Sequence, residues 1–128
     1  MSRPVILCID DEELGLEIRK LVLERQGFTV LTARDGHTGI SIFDTQRVDA
    51  VVLDYAMPGM DGGQVATILR QRQADIPILM LSAYVALPEE VMRVVSVSAT
   101  KGDGAFTLVD RLRELLQAKS PDGLGGSR

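Results

Sequence analysis

The stretch Val51-Val52-Leu53-Asp54-Tyr55-Ala56-Met57-Pro58-Gly59-Met60-Asp61-Gly62 decides how this chain is read. Three apolar residues are followed by one carboxylate and then by Pro-Gly, a pattern that predicts a buried strand stopping abruptly in a turn. Asp54 then sits at the C-terminal end of a strand. In open parallel sheets that edge is where ligands bind, so Asp54 is the candidate reactive group rather than a plain turn residue.

Outward from this stretch, short apolar runs alternate with segments of helical period. Residues 4–9 form a first strand ending in Asp10, Asp11, Glu12 and Glu13. Leu14, Ile18, Leu21, Val22 and Arg25 then follow helical spacing, with Gly27 placed as a C-terminal cap. Residues 28–32 are β-rich, and Asp35 offers an N-cap for a helix presenting Ile40 and Phe43, weakened by Gly36 and Gly39. The third strand covers residues 50–53. A helix over about residues 62–72 turns Val65, Ile68 and Leu69 inward. Residues 78–81 form a fourth strand before Ser82, and residues 87–95 read as a helix with Pro88, Glu89 and Glu90 in its first turn. A fifth strand at residues 97–100 precedes Lys101. The last helix places Phe106, Val109, Leu112 and Leu116 on one face. Residues 120–128, glycine-rich and aperiodic, read as a flexible tail or truncated linker, so the folded domain is residues 1–119.

Five strand–helix units with fully apolar strands imply an α/β fold, a parallel sheet covered by helices on both faces. Right-handed crossovers favour a flavodoxin-like three-layer sandwich with a five-stranded parallel sheet and five helices. The formal charge of -4 argues against general affinity for nucleic acid or an anionic membrane surface. Cys8, alone in the chain and inside an apolar run, reads as a small core residue. No apolar run reaches membrane-spanning or signal-peptide length, which leads to an expected cytoplasmic location.

In such a fold the strand ends converge, bringing Asp10, Asp11, Asp54, Ser82 and Lys101 to one edge. Three neighbouring carboxylates repel unless a cation accompanies them. Magnesium fits: it prefers oxygen ligands, and often uses only one or two carboxylates together with phosphate oxygens. Counted with Mg2+ and Lys101 the three carboxylates are neutralised, leaving a site able to accept a dianionic phosphoryl group.

Ile9-Asp10-Asp11, Leu53 to Gly62, Leu81-Ser82-Ala83 and Thr100-Lys101 together resemble the receiver (CheY-like) domain of two-component response regulators, over residues 4–118. The resemblance implies a phosphoprotein in a phosphorelay, itself no enzyme, in which a sensor histidine kinase or phosphotransfer protein passes a phosphoryl group to Asp54. It also implies that Asp10, Asp11, Asp54 and the Ala56 backbone carbonyl hold Mg2+, Asp11 directly and Asp10 through water, while Ser82 and Lys101 bind phosphoryl oxygens. Output to an effector domain or downstream protein would pass through residues 87–118, and a phosphorylation-dependent dimer is compatible with the pattern.

Some positions depart from that pattern. Ser98 stands where the family has a switching Tyr or Phe, and Gly102 where it commonly has proline. Ala56 and Tyr84 occupy positions that tune phosphate loss, and their side chains suggest a long-lived acyl phosphate. With Gly102 the bond after Lys101 is expected to be trans, the loop after strand five altered, and the signal carried mainly by residues 82–95. A receiver-like interaction module that takes no phosphate is the alternative reading. A haloacid-dehalogenase-type phosphatase would need an acid where Ala56 stands, and a flavodoxin would find its phosphate repelled by Asp10 to Glu13.

Overall fold

A computed structural model of the chain describes residues 3–83 and 86–119, with nothing of the Lys119 side chain. The elements run β1 (Val5–Ile9), α1 (Glu13–Arg25), β2 (Thr29–Ala33), α2 (Gly36–Thr45), β3 (Ala50–Asp54), α3 (Gly62–Arg72), β4 (Ile78–Ser82), α4 (Glu89–Met92), β5 (Val97–Thr100) and α5 (Ala105–Lys119). All five strands are parallel, in the order β2-β1-β3-β4-β5. The connection direction reverses between β1 and β3, and a crevice opens beyond the strand ends at such a point.

Alternation along the strands sorts the core into two layers. Ile6, Cys8, Val52, Leu79 and Leu81 face Leu16 and Leu23 of α1 and Leu108, Val109 and Leu112 of α5. Leu7, Ile9, Val51, Leu53 and Met80 face Val65, Ala66 and Leu69 of α3, together with Val91 of α4. Cys8 is fully buried on β1, an interior strand, and burial pushes its thiol up to about 12. Among the described residues no helix is long and apolar enough to cross a membrane.

The fold matches the expected three-layer sandwich, with corrections to its helices. On α1 the buried stripe is Leu16 and Leu23, while Leu14, Ile18 and Leu21 are exposed, the reverse of the expected face. Both stripes satisfy a three-and-four spacing, so periodicity alone could not choose between them. On α5, Val109 and Leu112 face inward as expected but Phe106, in the first turn, points to solvent, and Leu108 takes the inner place. The helix expected over residues 87–95 shrinks to Glu89–Met92. Arg70 of α3 donates to the Val94 carbonyl from Nε (3.1 Å) and Nη2 (2.8 Å). Ser96 already pairs with Ile78 as an extension of the sheet, so β5 claims the chain before the helix can continue.

The glycines that weakened α2 and opened α3 are packing residues. A Cβ at Gly39 would collide with the Ile9 side chain, and one at Gly62 with the Asp54 carbonyl oxygen and with Tyr55 Cα at 2.8 Å. Asp61 caps α3 by accepting from the Gln64 amide (2.9 Å), while the Gln64 side chain accepts from the Asp61 amide (3.0 Å). The Asp61-Gly62 pair therefore starts the helix and lets it close against the end of β3. Because the obstruction at Gly62 is backbone rather than a movable side chain, Gly62→Ala is expected to destabilise the domain by about 1–3 kcal/mol. Urea unfolding with an unchanged midpoint would contradict this.

Candidate functional site

Strand register sets the site. Ile9 pairs with Leu53, so Asp10 and Asp54 emerge level from adjacent strands, and Ser82 pairs with Thr100, so Lys101 lies one residue beyond. Asp10, Asp54 and Ser82 are the buried polar residues of the described chain, at 0%, 3% and 3% exposure. Asp11 is half-buried, and one carboxylate oxygen from each of Asp10, Asp11 and Asp54 can be chosen so that all lie within 4.8 Å of one another. Oxygen donors gathered so closely, in a largely buried setting, suit a hard divalent cation such as Mg2+.

Lys101 reaches the cluster with Nζ 3.0 Å from Asp54 Oδ1 and 3.6 Å from Asp10 Oδ2. It does so through a 3-10 turn, Lys101–Asp103, with no cis peptide bond, as expected from Gly102. The turn is held by Asp103, whose carboxylate accepts from the Thr100 amide (3.0 Å), and it exits through Gly104 at φ 91°, a region that favours glycine. Ser98 lines a small cavity with Ser82, Leu87, Thr100 and Arg111, and its carbonyl accepts from Arg111 Nη1 at 2.6 Å. Ala56 is exposed in the β3–α3 loop. Tyr84 lies outside the described residues.

One member of the cluster was missed by the sequence reading. Arg19, in the middle of α1, donates from Nη2 to Asp10 Oδ2 at 2.8 Å, while the Glu12 amide donates to Asp10 Oδ1 at 2.9 Å. The signal was present in the spacing: Leu16, Arg19 and Leu23 share one face, and a cation on a buried stripe demands an anion opposite it.

Electrostatics separate the two buried acids. Burial pushes Asp54 up to about 6; the Asp10 charge adds to this, and the Lys101 hydrogen bond and charge offset only part of it. Burial also acts on Asp10, but there the Glu12 amide, the Arg19 guanidinium and the Lys101 ammonium outweigh it and hold the carboxyl below its usual range. Burial disfavours the charge on Lys101, yet its partners Asp54 and Asp10 raise its pKa overall.

Residues 6–102 match the family model described as the response regulator receiver domain, and the chain belongs to that family. Response regulator MprA of Mycolicibacterium vanbaalenii is 35% identical over 127 residues, covering 94% of this chain and 54% of the relative. The alkaline phosphatase synthesis transcriptional regulatory protein PhoP of Bacillus subtilis is 42% identical over 78 residues, 61% of this chain and 32% of the relative. The chain thus spans about half the length of MprA and less of PhoP. Among solved structures, response regulator TrrA from Thermotoga maritima in complex with Mg(2+)-BeF superposes with a TM-score of 0.83 at 28% identity, over 88% of this chain and 98% of that one. A structure of histidine kinase ThkA in complex with TrrA matches with a TM-score of 0.82 at 29% identity, over 88% of this chain and 98% of that one.

A carboxyl whose folded pKa is raised contributes stability that is fully present below its unfolded value and is lost as pH rises through the folded value. For Asp54 that window runs from 3.8 to about 6, so its ionised form destabilises the metal-free protein at neutral pH. In EDTA, Asp54→Asn is therefore expected to exceed wild type in stability by about 1–2 kcal/mol at about pH 7, with the gap closing toward about pH 4. Denaturant titrations across that range test it, and a gap that does not change with pH would refute it.

Proposed function

We propose that this receiver domain accepts a phosphoryl group on Asp54 from the phosphohistidine of a sensor histidine kinase or phosphotransfer protein. The observation that carries this reading is a buried carboxylate at the end of β3, 3.0 Å from Lys101 Nζ and gathered with Asp10 and Asp11. In the transfer an Asp54 oxygen forms a bond to phosphorus as the phosphorus–nitrogen bond to histidine breaks. The nitrogen leaves with the bonding pair. Such a reaction requires positioning and charge stabilisation more than covalent chemistry from the protein.

The resident groups divide that work. Lys101, paired with Asp54, would neutralise charge on a phosphoryl oxygen, and the Ser82 hydroxyl at the end of the neighbouring strand would donate to another. Asp10, Asp11, Asp54 and the Ala56 carbonyl would hold Mg2+, which when bound supplies positive charge to the phosphoryl oxygens. The domain thereby promotes only its own phosphorylation and dephosphorylation, in the cytoplasm, as a switch rather than an enzyme with a separate substrate. Exposed Leu14, Ile18 and Leu21 give α1 an apolar outer face beside the site, which supports docking of a protein donor.

Output is proposed to run from Ser82 through α4, toward an effector domain, a downstream protein or a second copy across residues 87–118. The one-turn α4 and the small Ser98 both favour movement of residues 82–95 over an aromatic side-chain switch. Residues 120–128 would serve as tail or linker.

Incubation with acetyl phosphate and Mg2+, read by intact mass, is expected to label wild type and leave Asp54→Asn unlabelled. Equal labelling of the two would refute Asp54 as the acceptor, and no labelling of wild type would favour an interaction module that takes no phosphate. Ala56 offers no side chain to position an attacking water, so the label is expected to outlast a timescale of seconds without a phosphatase. Loss of the label within seconds of removing the donor would contradict it.

A further inference from the structure

We propose that Arg19 is a resident counter-ion that weakens cation binding by the resting site and supplies the charge that the phosphorylated site requires. The inference rests on the phosphoacceptor reading above. Arg19 is no surface partner: its side chain is 13% exposed, and the Asp10 carboxylate it contacts at 2.8 Å is fully buried. The Glu12 amide occupies the other Asp10 oxygen at 2.9 Å. Arg19 also borders a largely apolar cleft with Gly15, Ile18, Leu81, Lys101 and Leu108.

Charge counting shows what this second cation does. At rest, Arg19 and Lys101 face the three carboxylates Asp10, Asp11 and Asp54, leaving one excess negative charge. A divalent cation entering that site turns the excess positive, which is unfavourable in a buried setting. Once Asp54 carries a phosphoryl dianion, one negative charge has become two, and the same cation brings the site to neutrality. Without Arg19 the balance inverts: the cation-loaded resting site is neutral and the phosphorylated one is left negative. The added phosphoryl charge attracts the cation, so phosphorylation and cation binding each strengthen the other by the same factor. Arg19 sets the level from which that coupling starts, by lowering the affinity of the resting site for the cation.

The test is isothermal titration of Mg2+ into the full chain, as wild type, Arg19→Met, Arg19→Gln, Arg19→Lys and, as a control for the metal site, Asp11→Asn. Removing the positive charge is expected to tighten Mg2+ binding on the order of tenfold in the Met and Gln variants, while Lys stays near wild type and Asp11→Asn weakens binding. Circular dichroism establishes which variants are folded, and the Gln variant, which keeps a hydrogen-bond donor for Asp10, stands in should Met unfold. Folded neutral variants that bind Mg2+ no more tightly than wild type would overturn the proposal. So would a Lys variant that behaves like the neutral ones, because packing rather than charge would then be responsible. Mg2+ binding by none of these proteins would overturn it too. Acetyl phosphate labelling of wild type judges the phosphoacceptor reading separately, since Asp54 could fail to accept phosphate while Arg19 still governs Mg2+ affinity.

Discussion

The burial of negative charge at the ends of β1 and β3 is the constraint around which this molecule is arranged. Isolated carboxylates are costly to remove from water, and two on adjacent strands are costlier because they repel. The fold meets the cost differently at each. Asp10 is enclosed by a backbone amide, a guanidinium and an ammonium, and stays ionised. Asp54 has Lys101 as its ion-pair partner and keeps a raised proton affinity. The first acid is a fixed structural anion, and the second is left electrostatically unsettled, as a reacting group must be.

The scaffold exists to hold that contrast in register. Parallel pairing of β1 with β3, β3 with β4 and β4 with β5 brings four strand ends to one edge of the sheet, and the glycines at 39 and 62 let helices approach those ends closely. Asp61 belongs to the same arrangement although it touches no reacting group, because its cap fixes where α3 begins.

The strands and the site acids were legible because uninterrupted apolar runs ending in Asp10, Asp54 and Ser82, followed by a weaker β-rich run before Lys101, admit few other folds. The helices were less so. Leu14-Ile18-Leu21 and Leu16-Arg19-Leu23 are equally good stripes, and only the partner anion Asp10, nine residues back and on another element, reveals which faces inward. The length of α4 depended on Arg70, a side chain of a different helix, and on the pairing of Ser96 with Ile78, neither of which is written in residues 87–95. In the loop after β5 the trans bond followed from Gly102 alone, whereas the Thr100–Asp103 cap that shapes the turn exists only in the folded backbone.

Cys8 carries a consequence of a different kind. It lies on β1, a strand flanked by β2 and β3, in the layer that faces α1 and α5, and its thiol is far from forming the nucleophilic thiolate. No local opening of a loop can expose a residue in that place; the α1 and α5 layer must lift from the sheet. Thiol-specific reagents therefore ignore the native molecule, and their rate of attack becomes a clock for the parting of that helix layer from the sheet, built into the chain without any engineered probe.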